Sequence, residues 1–480
     1  MAVNRVKTGL KLIWVWIHRT SRWIIALIHY LEMHYPRLLS LVKVAIVFTL
    51  FFIVCYGRLD PDFGWALQAG SYFRVHGIPA HDIFTYTARN FRWIDHEWGS
   101  DVLISYLYQY GYLVLALFFA GLWTLALMIN AWRVRFIFLL MGLAAMLPYA
   151  EIRPTVLTVV GLGIVLRLLA AQKVTKTILW LPLIFVIWAN LHGGFVLGLA
   201  VLLYFAAIRK SKPLILMFLL CVPITFINPY GPRLYVEIFR TLTDWSLHFQ
   251  TDGMAVAALQ YSVLPLIILW SAGFWLFARE KIINWVGVGP LLLFASLAAT
   301  RNVPLFTVAA TPELDNYYTQ AKSLFPKHPP KQAQRLYSGF VIAVVGVTLY
   351  FIGSSVIPSA NRDAGYPVSA VAYLKVHPCS GNLFNDFNYG GYLIWQLPDQ
   401  PVYIDGRMPS WRNSAGQKYL DIYDQVISNP ATQQQQFSKY NISCVLLSKS
   451  SFNNQLLNRL QKSDWKTAVQ ADGSELLLKP

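Results

Sequence analysis

The chain has 480 residues, of which 56% are hydrophobic and 13% charged, with a formal net charge of +17. That balance excludes an ordinary soluble domain. It also speaks against a nucleic-acid binder, because no basic patch is joined to a soluble recognition fold, and basic loops on the cytoplasmic face of a membrane protein account for the charge instead.

In chain order, residues 1–37 read as a basic, aromatic segment lying at the membrane surface, with Lys7, Lys11, Arg19 and Arg22 interrupting Trp14, Trp16 and Trp23. No small-residue cleavage site follows, so it does not read as a removable signal. A crossing helix needs roughly 20 apolar residues. Apolar segments near 38–56, 111–131, 136–151, 155–172, 177–191, 194–208, 213–228, 261–278, 283–300, 302–320 and 337–357 predict an α-helical polytopic membrane protein with about eleven transmembrane helices, several of them short. Alternate connections are basic: Arg133 and Arg135; Lys173 and Lys176; Arg209, Lys210 and Lys212; Arg279 and Lys281; Lys322, Lys327, Lys331 and Arg335. The positive-inside rule places these, and the N-terminus, in the cytoplasm. Loop 57–110, the turn at Glu151-Ile152-Arg153-Pro154, the turn at His192-Gly193-Gly194, loop 229–260, Arg301 and the tail from about 358 then face outward.

Loop 57–110 is too long for a simple turn, and loops of that length are usually functional. Segment 99–110 reads as a helix on the membrane surface, with Tyr106, Tyr108, Tyr110 and Tyr112 at the interface. The tail, 358–480, is polar and predicts a small extracytoplasmic α/β domain. Its expected strands are Asn382–Asn385, Pro401–Asp405, Ser443–Ser448 and Glu475–Lys479. Its expected helices are Ser369–Val376, Tyr389–Gln396, Ala415–Ser428 and Phe452–Lys462. Of four cysteines, Cys55 and Cys221 fall in apolar spans. Cys379 and Cys444 could pair if the tail is extracytoplasmic, but two free thiols is the expectation.

The candidate chemistry gathers at the outer helix ends. Acids are scarce, yet Asp60, Asp62, Asp82, Asp95, Glu97 and Asp101 all fall in the first outer loop, and Arg153, His192 and Arg301 face the same side. Charge near the membrane is costly, so such a gathering suggests an aqueous cavity for a polar substrate. A carboxylate can serve as a base. An arginine can hold phosphate oxygens through paired, charge-assisted hydrogen bonds. The assignments are Asp62 as base with Asp60 its neighbour, and Arg153 or Arg301 as phosphate partner. Asp82, Glu97, His192, Asp405 and Arg407 are expected to bind substrate. A divalent ion on Asp60 or Asp62 is compatible with their oxygen ligands, and the metal stays unknown. No zinc spacing, phosphate loop or nucleophile elbow is present. For Asp405 and Arg407 a structural ion pair at a tight turn is the competing reading.

The runs Asp60-Pro-Asp62-Phe-Gly-Trp65, His76-Gly-Ile-Pro79, Asp82-Ile-Phe-Thr-Tyr-Thr87 and Glu97-Trp98 resemble the first outer loop of bacterial membrane glycosyltransferases of the GT-C superfamily. Arg153-Pro154, Trp188-Ala-Asn-Leu-His-Gly193, Asn228-Pro-Tyr-Gly231 and Arg301 resemble other parts of it. Phe384-Asn-Asp-Phe-Asn-Tyr-Gly-Gly-Tyr392 and Tyr403-Ile-Asp-Gly-Arg407 resemble its C-terminal region. The resemblance implies an acidic catalytic residue in the first outer loop, a polyprenyl-phosphate sugar donor and inversion at the anomeric carbon. It leaves the acceptor open among protein, glycolipid and cell-wall polymer. In one respect the chain departs from the pattern: a histidine is expected where it has Gly64-Trp65-Ala66-Leu67, so His76 or His96 would have to supply that contact. The competing functions are a flippase of lipid-linked sugars, which would place its charges near mid-membrane, and a non-catalytic membrane scaffold.

Overall fold

The computed structural model describes residues 34–170, 175–244, 261–280, 287–324 and 330–480, so the N-terminal surface segment falls almost wholly outside it. Helices occupy every expected apolar segment: α1 Pro36–Gly57, α4 Tyr112–Ala131, α5 Phe136–Met146, α6 Thr155–Leu169, α7 Leu181–Leu191, α8 Phe195–Ile208, α9 Lys212–Ile224, α11 Leu264–Phe277, α12 Val288–Ala298, α13 Val303–Leu324 and α14 Lys331–Val356. Among the described residues, three are long and apolar enough to cross a membrane: α1, α4 and the stretch Leu336–Val356 of α14. Their outer faces carry exposed large apolar side chains such as Leu41, Leu113 and Tyr350, as helices facing an apolar solvent do.

Three helices lie within loops 57–110 and 229–260. Within loop 57–110, α2 (Phe63–His76) pairs with α3 (Trp98–Tyr108), a helix where one was expected at 99–110. Within loop 229–260, α10 (Arg233–Thr243) buries Leu234, Glu237 and Ile238 on one face. The remaining helices belong to the tail: α15 Val368–Val376, α16 Gly390–Gln396, α17 Tyr419–Ser428, α18 Pro430–Lys439 and α19 Asn454–Gln461.

The chain divides into two compact units. The first comprises Met1–Ile53, Trp123–Tyr149 and Ala258–Pro358. There α5, whose residues Phe138 to Met146 are all buried, is packed by α11, α13 and α14. The second comprises Val54–Leu122, Ala150–Ala257 and Ser359–Pro480, so the first outer loop and the tail share one core. In that core α2 is held by glycine contacts. A Cβ on Gly64 would overlap the Gly391 carbonyl of α16, and one on Gly70 would overlap the Asp101 carbonyl of α3. Only glycine permits so close a backbone approach.

The tail contains a four-stranded sheet in the order β1-β2-β4-β3: β1 Asn382–Asn385, β2 Ile442–Ser448, β3 Lys466–Ala471 and β4 Ser474–Leu478. β1 pairs parallel with β2, and β2 and β3 pair antiparallel with β4. β2 is central and buried along nearly its whole length. Asp472 and Gly473 join β3 to β4, both at positive φ, as a two-residue hairpin turn demands. The expected strand at Pro401–Asp405 is not one. Pro401 lacks an N–H donor, and only Val402 makes a bridge, with Thr85 of the first loop. The free-thiol expectation is corrected too: Cys379 and Cys444 form a disulfide that ties the chain before β1 to β2. The bond spans 65 residues, a loop whose closure contributes about 4 kcal/mol in the chain-entropy account. Reduction, or Cys444→Ser, should therefore lower the thermal midpoint of purified protein substantially. An unchanged midpoint on reduction would refute a stabilising role for the bond.

Candidate functional site

Three polar clusters lie within the second unit. In the first, Asp60-Pro61-Asp62 forms the turn that starts α2. The Asp60 carboxylate accepts the Asp62 N–H at 2.8 Å, and the Phe63 N–H donates to the Asp60 carbonyl at 3.1 Å. Acids at a helix N-terminus are favoured by its dipole. Arg153, beside Glu151 in the turn before α6, donates from Nη2 to Asp62 Oδ2 at 2.9 Å and lies 3.5 Å from Asp60 Oδ2. Trp65 Nε1 donates to Asp62 Oδ1 at 3.0 Å. Asp60 is sealed at 1% side-chain exposure, whereas Asp62 is 22% and Arg153 40% exposed. The pair therefore opens to solvent along Arg153 and Asp62.

Burial pushes the Asp60 carboxyl up; Arg153 opposes this, the charge and hydrogen bond of Glu151 reinforce it, and the result is about 7. Asp62 is also raised, by burial first, against the lowering effect of Arg153. Like charges this close cannot both ionise freely.

In the second cluster, the Glu97 N–H donates to Asp95 Oδ1 at 2.9 Å, repeating the Asp60 turn at the start of α3. His96 Nε2 and His192 Nε2 each lie 3.3 Å from Glu97 Oε1. Burial opposes the Glu97 charge, but the two imidazoles overcome it and hold the carboxyl far below its usual range. Burial alone would lower His96; its bond to Glu97 and the charges of Glu97 and Asp95 win and raise it to about 9. Asp101 is fully buried against Asp95, and burial with the like charges of Asp95 and Glu97 raises it well above its ordinary value.

His96, Glu97 and His192 are close enough together to hold a metal ion. Their hydrogen bonds also suit a carboxylate held by two imidazoles: His192 Nδ1 accepts the Gly194 N–H at 3.0 Å and lies 2.6 Å from Thr158 Oγ1, while its Nε2 faces Glu97.

In the third cluster, Arg407 pairs with Asp82 Oδ1 at 2.8 Å and with Asp405 Oδ2 at 2.7 Å. Its guanidinium lies over the rings of Trp93, Phe84, Trp411 and Trp65 at 4.6–5.8 Å. Sequence reasoning gave Asp82, Asp405 and Arg407 substrate contacts. At 0–3% side-chain exposure a solute does not reach them here, and the geometry is that of the competing reading, a structural ion pair at a tight turn. The turn still touches the site: a Cβ on Gly406 would collide with Asp62 Oδ1.

The structure thus joins Asp60 and Asp62 to Arg153, and Glu97 to His192. The charge of Glu97 also reaches Asp62 and Arg153. Arg301 lies in a short 3-10 turn, Thr300–Asn302, of the first unit. Of the two histidines considered for the missing family position, His96 joins Glu97, whereas His76 stacks on Tyr72 at the end of α2. Sequence reasoning missed Trp65, Thr158 (2.6 Å from His192 Nδ1) and Gly406. Trp65, three residues past Asp62 on a helix start, was the one with a readable signal.

No protein-family profile matches the chain, and no curated protein matches it in sequence. Solved structures do. The oligosaccharyltransferase AglB of Archaeoglobus fulgidus, in complex with an inhibitory peptide and a dolichol-phosphate, superposes with a TM-score of 0.56 at 10% identity, over 87% of this chain and 70% of that one. The apo form of the oligosaccharyltransferase from the same organism gives 0.55 at 11% identity, over 86% and 70%. The mycobacterial arabinofuranosyltransferase AftD gives 0.52 at 12% identity, over 92% of this chain and 40% of that one. The chain has a GT-C-like fold.

Two outcomes follow from this geometry. Gly406→Ala should destabilise the protein by about 1–3 kcal/mol through overpacking. Adding Asp62→Ala should recover part of that loss in a double-mutant cycle of thermal unfolding, and strict additivity would sink the contact. For His96, a folded value above the ordinary 6.5 means that its contribution to stability is complete below pH 6.5 and is lost as pH rises through about 9. His96→Gln should flatten the pH dependence of the thermal midpoint across that window.

Proposed function

We propose that the protein is a membrane glycosyltransferase. It moves a sugar from a polyprenyl-phosphate-linked donor to an acceptor (a protein, glycolipid or cell-wall polymer) on the outer face of the cytoplasmic membrane. The observation that carries this reading is the half-open carboxylate pair Asp60–Asp62, clamped by Arg153, at a helix start in a GT-C-like fold. The dolichol-phosphate bound to archaeal AglB supports a lipid-phosphate donor. The Cys379–Cys444 disulfide supports an oxidising, extracytoplasmic setting for the tail. In this reading about eleven helices cross the membrane, and the basic helix ends and the N-terminus lie inside.

Asp62 acts as general base. It takes the proton of the acceptor's nucleophile as that atom bonds to the anomeric carbon. The bond from that carbon to the phosphate oxygen breaks, and the lipid phosphate leaves with the electron pair. Attack opposite the leaving group inverts the centre. Arg153 orients Asp62 and turns its exposed side to the departing phosphate. Glu97, fixed by His96 and His192, supplies a standing negative charge near the site. Asp82, Asp405 and Arg407 position Asp62 through Gly406 without touching substrate. No metal-dependent step is derived.

Purified protein should transfer a radiolabelled polyprenyl-phosphate sugar, an activity that neither a flippase nor a scaffold has. Asp62→Asn should lower that rate by about 10²–10⁴-fold while leaving thermal unfolding intact. Full activity in this variant would remove the base assignment. The rate should also fall as pH drops through about 7, where Asp60 takes up its proton and changes the charge beside the base. Glu151 raises Asp60, so Glu151→Gln should move this acid limb to lower pH. A limb that stays in place would show that the Asp60–Glu151 pair does not govern it.

A further inference from the structure

Outside the acid cluster, the second unit holds an open polar cavity of about 970 Å³ between residues 86–92 of the first loop and residues 403–440 of the tail. Four cations line it, Arg89, Arg92, Arg412 and Lys439, and among the described residues no Asp or Glu does. All four are exposed, and among the described residues none has a carboxylate partner. Asp82, whose charge reaches Tyr419 of the lining, is buried and paired with Arg407, which it shares with Asp405. The chain has only 23 acids against 40 basic residues, but that surplus does not by itself collect four unpaired cations around one basin.

The rest of the lining points to hydroxyl-rich ligands. Asn90, Asn413, Gln417, Gln425 and Gln435 supply amides that both donate and accept. Tyr419 and Tyr440 present half-buried rings with a polar edge. Arginines add planar, bidentate donors suited to carboxylate or phosphate groups. The cavity is too polar for an acyl chain.

The chain that forms its floor continues into the turn that backs Asp62. The Tyr86 N–H donates to the Val402 carbonyl at 3.2 Å, and Thr87 Oγ1 donates to the Tyr403 carbonyl at 2.6 Å. Tyr403 lines the cavity, and three residues on, Gly406 abuts Asp62. Three residues of extended chain span at most about 11 Å.

We infer that this cavity binds an anionic oligosaccharide, the acceptor strand, with its charged groups on Arg89, Arg92, Arg412 and Lys439 and its end directed toward Asp62. The word acceptor rests on the glycosyltransferase reading; the binding site does not.

The test is direct binding to the full-length protein in detergent, with no donor present. The probes are a galacturonic acid tetramer for carboxylate, a ribitol-phosphate tetramer for phosphate, and neutral maltotetraose. At least one anionic probe should bind roughly tenfold or more tightly than the neutral one, the effect of about one charge-assisted hydrogen bond. That preference should shrink as salt is raised. Which anionic probe binds identifies the charged group. Arg89→Ala with Arg412→Ala, both at exposed positions, should remove the preference. Equal binding of neutral and anionic probes, equal binding of a glutamate tetrapeptide, or a preference surviving the double variant would each overturn the inference. If the anionic probe binds as expected and no sugar transfer is seen, the glycosyltransferase reading falls and the site stands. If transfer is seen without any anionic preference, the site falls and the glycosyltransferase reading stands.

Discussion

The buried cation Arg407 is the constraint on which the second unit is organised. A guanidinium at 3% exposure is costly to desolvate unless it is paired and its donors are used. Asp82 from the first loop and Asp405 from the tail supply the charge, while Trp65, Phe84, Trp93 and Trp411 supply ring faces. Removing both carboxylates would leave the guanidinium stranded among aromatics. The arrangement obliges two stretches of chain more than 300 residues apart to meet in one geometry. It also fixes the turn whose Gly406 sets the back wall of the Asp62 carboxylate.

A second device recurs through the unit. Asp60, Asp95 and Asp405 each accept the N–H two residues on, from Asp62, Glu97 and Arg407. The first acid of each pair is spent on the backbone, which leaves the third residue of the triplet aimed by a rigid turn. At the starts of α2 and α3 this presents Asp62 and Glu97. Two imidazoles overcome burial and hold Glu97 ionised, while burial, opposed by Arg153 and reinforced by Glu151, leaves Asp60 poised near 7.

Much of this was legible in the sequence because hydropathy is a local signal. The apolar segments became helices, and the short ones did too. What the sequence did not reveal was structure that buries against protein instead of lipid. α2 carries Gly64 and Gly70, and both sit in close backbone contact with α16 and α3. α10 buries Leu234 and Ile238 yet leaves Val236, Phe239 and Leu242 exposed. The acids were found individually, but their grouping was not legible. Asp82 shares a loop with Asp60 and Asp62, yet it pairs with Arg407, because pairing across the fold depends on tertiary contacts that no local spacing encodes. The expectation of free thiols at Cys379 and Cys444 failed for the same reason: pairing depends on compartment and proximity, and spacing reveals neither.

The charges of the second unit are divided along one short piece of chain, Val402 to Arg407. On one side lie exposed cations, with no acid among the described residues of the lining; on the other lie Asp60, Asp62 and Glu97, with Arg153 against the first two. A ligand charged along its length would be drawn to the first side and repelled from the second by the standing charge on Glu97.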